Sequence, residues 1–148
     1  MYNANMTNYR FFHPIVVRYG DLDPQGHVNN AGFLTYMEHA RMSYIREIGL
    51  WDGKSFLNLG FILARLELDY KTPILMTDIV EVGVRVSRLG NKSLDMEYLI
   101  KDPNTERIFA EGKTFQVAYD YQEGVTIPIP KNWRDAIRDF EKLSSNPQ

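Results

Sequence analysis

There is no cysteine anywhere in the 148 residues. That one absence removes disulfides, thiolate metal sites and a cysteine nucleophile together, and it fits a reducing compartment. An excess of positive charge is missing too: 17 Lys and Arg face 19 Asp and Glu, for a net charge of -2. Without a dense cationic face there is no electrostatic reason to expect nucleic acid as a partner. No run comes near the roughly 20 apolar residues that a helical membrane span needs. Met1 to Tyr9 is polar and rich in Asn, with no basic stretch leading into an apolar one, so no signal peptide is expected. The three histidines, His13, His27 and His39, fall at no metal-ligand spacing, so no metal is expected. The expectation is a soluble, cytoplasmic chain without a membrane span.

What is present supports a packed core. Hydrophobic residues make up 44% of the chain and aromatics 13%, which sets it apart from disordered sequences. The length is that of one domain able to bury a core without staples. With no repeat, low-complexity tract or linker, a single domain over residues 1–148 is expected.

Phe11 to Tyr19 is short and rich in β-branched residues and reads as a strand. Asp21, Asp23, Pro24 and Gly26 then mark a loop. From Asn30 to Ile48 the period changes: Phe33, Met37, Ala40, Tyr44 and Ile48 recur at helical spacing. Asn29 or Asn30 can cap this helix, and Gly49 suits the position just past its end. Only Thr35, Glu38, His39, Ser43, Arg46 and Glu47 make a polar side, as if a sheet covered most of the helix. Strand patterns follow over Phe61 to Tyr70, Asp78 to Arg88, Ser93 to Lys101 and Arg107 to Tyr119. Turns at Leu89–Asn91 and Asp102–Thr105 join the last three into an antiparallel meander. Trp133, Ile137 and Phe140 form the stripe of a short closing helix that starts near Pro130.

The chemistry is concentrated in residues 18–30, which read Arg-Tyr-Gly-Asp-Leu-Asp-Pro-Gln-Gly-His-Val-Asn-Asn. This loop runs into a helix start, where unpaired N–H groups carry partial positive charge. Such an end can polarise a carbonyl or hold an oxyanion. A carboxylate folded back beside it supplies a base or a nucleophile. By itself, Asp23 before Pro24 reads as a turn residue bonding its own backbone.

The run from Asp21 to Asn30, continued by Phe33, Leu34, Tyr36, Met37, Glu38, Ala40 and Arg41, resembles the hotdog-fold acyl-CoA thioesterases. The subgroup is that of 4-hydroxybenzoyl-CoA thioesterase, and acyl-ACP relatives share the His-Val-Asn-Asn element. Leu68 to Pro73 with Asp78, and Arg88 to Ser93, extend the likeness over most of the chain, from Ile15 to Tyr119. The resemblance implies an α+β hotdog fold, a curved antiparallel sheet wrapped around one long helix. It also implies homodimers whose sheets join, pairing again into homotetramers, with sites at the dimer interface.

For the site, the resemblance puts the acting carboxylate at Asp23 and the carbonyl-polarising amide at Asn30. His27 would position the water or the acyl group. Tyr19 and Gly26, flanking Asp23, count among the substrate-binding candidates. Coenzyme A, which is part of the substrate and not a separate cofactor, would lie near Arg88, Lys92 and Ser93. Glu38 is a second place for the carboxylate, since other hotdog thioesterases carry theirs within the helix; its plainer role is to pair with Arg41 or Arg46. Phe33, Tyr36, Met37, Phe56 and Phe61 could line the acyl pocket. The function implied is hydrolysis of an acyl-CoA thioester. An acyl-ACP thioesterase and a binding-only hotdog protein are the alternatives.

Overall fold

Alternating valines build the centre of the sheet. The computed structural model describes residues 8–51 and 59–144. The elements are β1 (Phe11–Ile15), α1 (Asn30–Glu47), β2 (Leu59–Tyr70), β3 (Val80–Leu89), β4 (Ser93–Lys101), β5 (Ile108–Asp120), β6 (Val125–Thr126) and α2 (Lys131–Glu141). All strand pairs are antiparallel, in the order β1-β3-β4-β5-β2, with β6 on β5. On β3, Val80, Val82, Val84 and Val86 are buried on the inner face. Glu81 and Arg85 take the outer face, where they meet Lys101 at 3.1 Å and Glu97 at 3.5 Å on β4. This is the period of two that a sheet with one buried side requires.

α1 lies on the inner face through Phe33, Tyr36, Met37, Ala40 and Tyr44. Burying each large apolar side chain contributes roughly 1.5–3 kcal/mol, so packing holds this helix far more than its cap does. The helix lies closest to β1 and β3 and meets the end of β2 where Phe33 packs edge-on against Tyr70. A curved sheet around one long helix is the hotdog arrangement. No helix among the described residues is long and apolar enough to cross a membrane.

Three local differences from the sequence pattern have physical causes. The first strand stops at Ile15, where its partner β3 runs out at Val80; Val16 and Tyr19 beyond it are exposed. β6 is only two residues long, too short to show an alternation. α1 is covered along one stripe and not on most of its surface, leaving Leu34 partly exposed.

α2 closes the molecule as the Trp133–Ile137–Phe140 stripe suggests. Trp133 packs on Phe61 and Phe140 on Tyr44, and Ile137 is fully buried. Its last residue, Glu141, accepts from the Tyr44 hydroxyl at 2.5 Å and from the Val86 amide at 3.0 Å. β3 is irregular between Val86 and Arg88, and Glu141 takes a donor where the ladder is interrupted. Burial pushes the Glu141 carboxyl up, against the pull of those two hydrogen bonds.

Candidate active site

The loop after β1 folds into a closed ring. A single 3-10 turn, Tyr19–Asp21, begins it. The Asp21 carboxylate then accepts from the Arg18 amide at 2.9 Å and from the Tyr36 hydroxyl at 2.7 Å, which ties the loop to the buried face of α1. Main-chain bonds close the rest: Asp23 N–H to the His27 carbonyl at 2.8 Å, Gly26 N–H to the Asp23 carbonyl at 3.0 Å, and Asn29 N–H to the Asp21 carbonyl at 2.8 Å. Gly26 sits at a φ of +79°, a conformation that costs glycine nothing. His27 bridges to Leu75, and the Val28 amide donates to the Ile74 carbonyl at 2.8 Å.

Within this ring the Asp23 Oδ1 accepts from the amides of Gln25 at 2.9 Å and His27 at 3.3 Å. Asp23 is therefore a turn residue in fact, held by its own backbone. Those bonds use one carboxylate oxygen; Oδ2 takes no part in them. Asn29, and not Asn30, is the cap of α1. Its side chain accepts from Ala31 N–H at 2.9 Å and its carbonyl from Gly32 N–H at 2.7 Å. Neither cap bond uses the amide of Asn30, the first residue of the helix. The Asn30 carbonyl is fixed from the other side by the Tyr70 hydroxyl at 2.8 Å.

The remaining candidates separate into two places. Arg88 and Ser93 meet at the β3–β4 turn: one guanidinium nitrogen donates to Ser93 Oγ at 2.9 Å and to Asp95 Oδ1 at 2.8 Å. Asp95 is buried and also meets Lys113 at 3.5 Å. Lys92 is exposed on the same turn. Glu38 is elsewhere, exposed on α1 and facing a cavity shared with Arg41, Phe61 and Trp133. Its expected partner Arg41 donates instead to the Tyr98 hydroxyl at 3.3 Å. Tyr19 is 85% exposed at the rim of the loop. Phe33, Tyr36 and Met37 are spent in the core; Phe56 lies outside the described residues. Among the described residues no group of three or more His, Cys, Asp or Glu is arranged to hold a metal ion.

Comparison with known proteins decides the family: the model of the thioesterase-like superfamily matches residues 17–137. The chain belongs to that superfamily. It is a thioester hydrolase by that membership. A thioesterase from Thermus thermophilus, crystallised with coenzyme A and zinc, is 39% identical over 93% of this chain and 98% of its own, with a TM-score of 0.79. The long-chain acyl-CoA thioesterase of Escherichia coli (strain K12) is 22% identical over 86% of this chain and 97% of its own. A 1,4-dihydroxy-2-naphthoyl-CoA thioesterase from Synechocystis has the same fold, at 22% identity, 87% and 96% coverage and a TM-score of 0.77.

Two features of this thioesterase-like chain were not read from its sequence. One is the Asp21–Tyr36 tie; the signal was a tyrosine on the buried face of an apolar helix, whose hydroxyl needs a partner. Burial would raise the Asp21 carboxyl, but the Arg18 amide, the Tyr36 hydroxyl and the Arg18 charge together hold it below the usual range. The other is the tilted packing of His13 on His39, with ring centroids 4.8 Å apart and planes at 36°. Burial, then the neighbouring His39, lowers the His13 pKa.

Tyr36→Phe removes a hydrogen bond to a charged group and should cost about 2 kcal/mol at neutral pH. A lowered carboxylate contributes stability above its usual pKa and loses it as pH falls through the folded value. The gap between wild type and Tyr36→Phe should therefore narrow below about pH 4. Urea unfolding at pH 7 and pH 3 measures it, and an equal gap at both would rule out the charged Asp21 as the partner.

Proposed function

We propose that this thioester hydrolase acts on acyl-CoA, with Asp23 as the catalytic carboxylate and the Asn30 amide as the carbonyl-polarising donor. The observation that carries the reading is their joint placement. A carboxylate with one oxygen restrained by Gln25 and His27 belongs to a closed ring that ends at Asn29, next in the chain to a helix-start amide that the cap leaves over.

The Asn30 N–H would donate to the thioester oxygen, and that bond would strengthen as negative charge develops there. Asp23 would take a proton from water as the water oxygen bonds to the carbonyl carbon. The tetrahedral species then collapses: the C–S bond breaks, coenzyme A leaves as thiolate and is protonated, and the free acid remains. Direct attack by Asp23, through an anhydride that water opens, uses the same carboxylate. His27, whose amide donates to Asp23, keeps that loop in register.

Lys92, with Arg88 and Ser93 beside it, supplies cationic and hydroxyl groups for the nucleotide phosphates of coenzyme A. Of these, Lys92 carries the larger share, because Arg88 is already engaged by the buried Asp95. β2 is an edge strand of the sheet, and its free edge would pair with a second copy to form a homodimer, two of which would form a homotetramer.

The test is thiol release from short, long and aromatic acyl-CoAs. Release from at least one class supports the reading. Release from carrier-protein thioesters alone would transfer the assignment to acyl-ACP, and binding without release would make this a non-catalytic relative.

A further inference from the structure

α1 and β2 run past each other in opposite directions. Tyr70, at the end of β2, bonds Asn30 at the start of α1. Phe61, near the start of β2, shares a cavity with Arg41 and Ile45 in the second half of α1. Between these ends Phe33 of α1 packs edge-on against Tyr70, and Leu66 and Leu68 of the strand pack on the core. On these two elements Tyr70, Leu34 and Leu63 stay 48%, 37% and 44% exposed. Leu63 shares the face of Phe61, since both pair with inward residues of β5, Gln116 and Ala118. The same helix and strand therefore lead from the proposed reacting centre to a cavity of about 210 Å³.

The cavity is polar on one side. Glu38, Arg41 and Gln116 line the cavity, with Trp51, Phe61 and Trp133 as aromatic walls. Behind them Arg41 donates to Tyr98 at 3.3 Å, Tyr98 and Thr114 share a hydrogen bond of 3.0 Å, and Gln116 donates to Thr114 at 3.2 Å. Tyr98, Thr114 and Gln116 are all buried. Among the described residues no buried side-chain polar atom lacks a partner, so this chain is satisfied within itself and meets a ligand only through Arg41 and Gln116 at the cavity wall. The charges at the mouth narrow the choice. Glu38 opposes an anion and Arg41 opposes a cation, whereas a neutral hydroxyl or keto group can donate to the first or accept from the second.

We infer that this cavity receives the far end of the acyl chain and selects a chain bearing a neutral hydroxyl or keto group there. The inference rests on the acyl-CoA reading of the loop. Glu38 stands about 12 Å along the helix from Asn30, at ~1.5 Å per residue, so the acyl group is of medium length; a single ring joined directly to the carbonyl falls short.

Both tryptophans of the chain, Trp51 and Trp133, line the cavity, so intrinsic fluorescence reports its occupancy. The experiment titrates Asp23→Asn protein with decanoyl-CoA and with ω-hydroxydecanoyl-CoA. The hydroxylated chain should bind about ten-fold tighter, the worth of one or two hydrogen bonds, with a change in tryptophan emission. Adding Gln116→Met, or Glu38→Ala on the exposed helix surface should the buried substitution fail to fold, should remove most of that preference. Equal or tighter binding of the plain chain overturns the selection, and binding without any emission change overturns the cavity as its seat. Thiol release by wild type is followed in parallel. Selective binding without release counts against Asp23 as the catalytic group and leaves the cavity assignment standing.

Discussion

Asp23→Asn leaves the protein folded and nearly abolishes turnover. The substitution suits the question because the Asp23 Oδ1 already works as an acceptor for the Gln25 and His27 amides. The amide oxygen of asparagine accepts the same two bonds, so the loop should keep its shape. What changes is the other oxygen, replaced by an NH₂ that can neither take a proton from water nor attack a carbonyl. A positioned general base contributes about 10²–10⁴ in rate, and a nucleophile at least that, so kcat should fall by about a thousand-fold. Thiol release measures the loss, and a melting curve superimposed on that of wild type shows that it is chemical. A variant retaining a tenth of wild-type turnover would reduce Asp23 to a turn residue and move the search for the carboxylate to Glu38.

Asn30→Pro addresses the other half of the proposed site, by deleting one backbone N–H. Proline belongs naturally at the first position of a helix, where its missing donor and fixed φ do no harm. The residue before it must be extended, and Asn29 has φ -53° and ψ 141°, which already meets that requirement. The cap bonds go to Ala31 and Gly32, and the Asn30 carbonyl stays available to Tyr70. Stability should therefore hardly move. Loss of a single oxyanion donor costs about 10²–10³ in kcat, and that is the expected drop. Full activity in the proline variant would show that the carbonyl is polarised by another group. A matching fall in melting temperature would point to a distorted helix start.

Much of this fold was legible because its signals are local. The valine alternation of β3 and the 3.6-residue spacing through Phe33, Met37, Ala40 and Tyr44 each depend on near neighbours in the chain. The Asp23 to Asn30 loop was legible for the same reason: its closing bonds span only a few residues. The partners that were missed are distant in sequence. Tyr36 reaches Asp21 around a whole turn of loop and helix, and Tyr98, Thr114 and Gln116 come together only once β4 and β5 pair. Burial also hid information. Phe33, Tyr36 and Met37 share the apolar character of pocket residues, and only the side of α1 that faces β3 assigns them to the core. The polar end of the cavity is built from single residues of several elements, a pattern with no period to detect.

The ring from Asp21 to Asn29 closes through bonds that count residues. Asp23 pairs with His27, Gly26 with Asp23, and Asn29 with Asp21, each spacing set by a turn of defined size. Such a segment cannot lengthen or shorten by one position without breaking a bond at each end. Most surface loops absorb insertions at little cost, but this one is fixed in length. Variation among descendants of this sequence should then fall on what the ring's residues are, and on the turn at residues 102–107, while the number of residues between Asp21 and Asn29 stays constant.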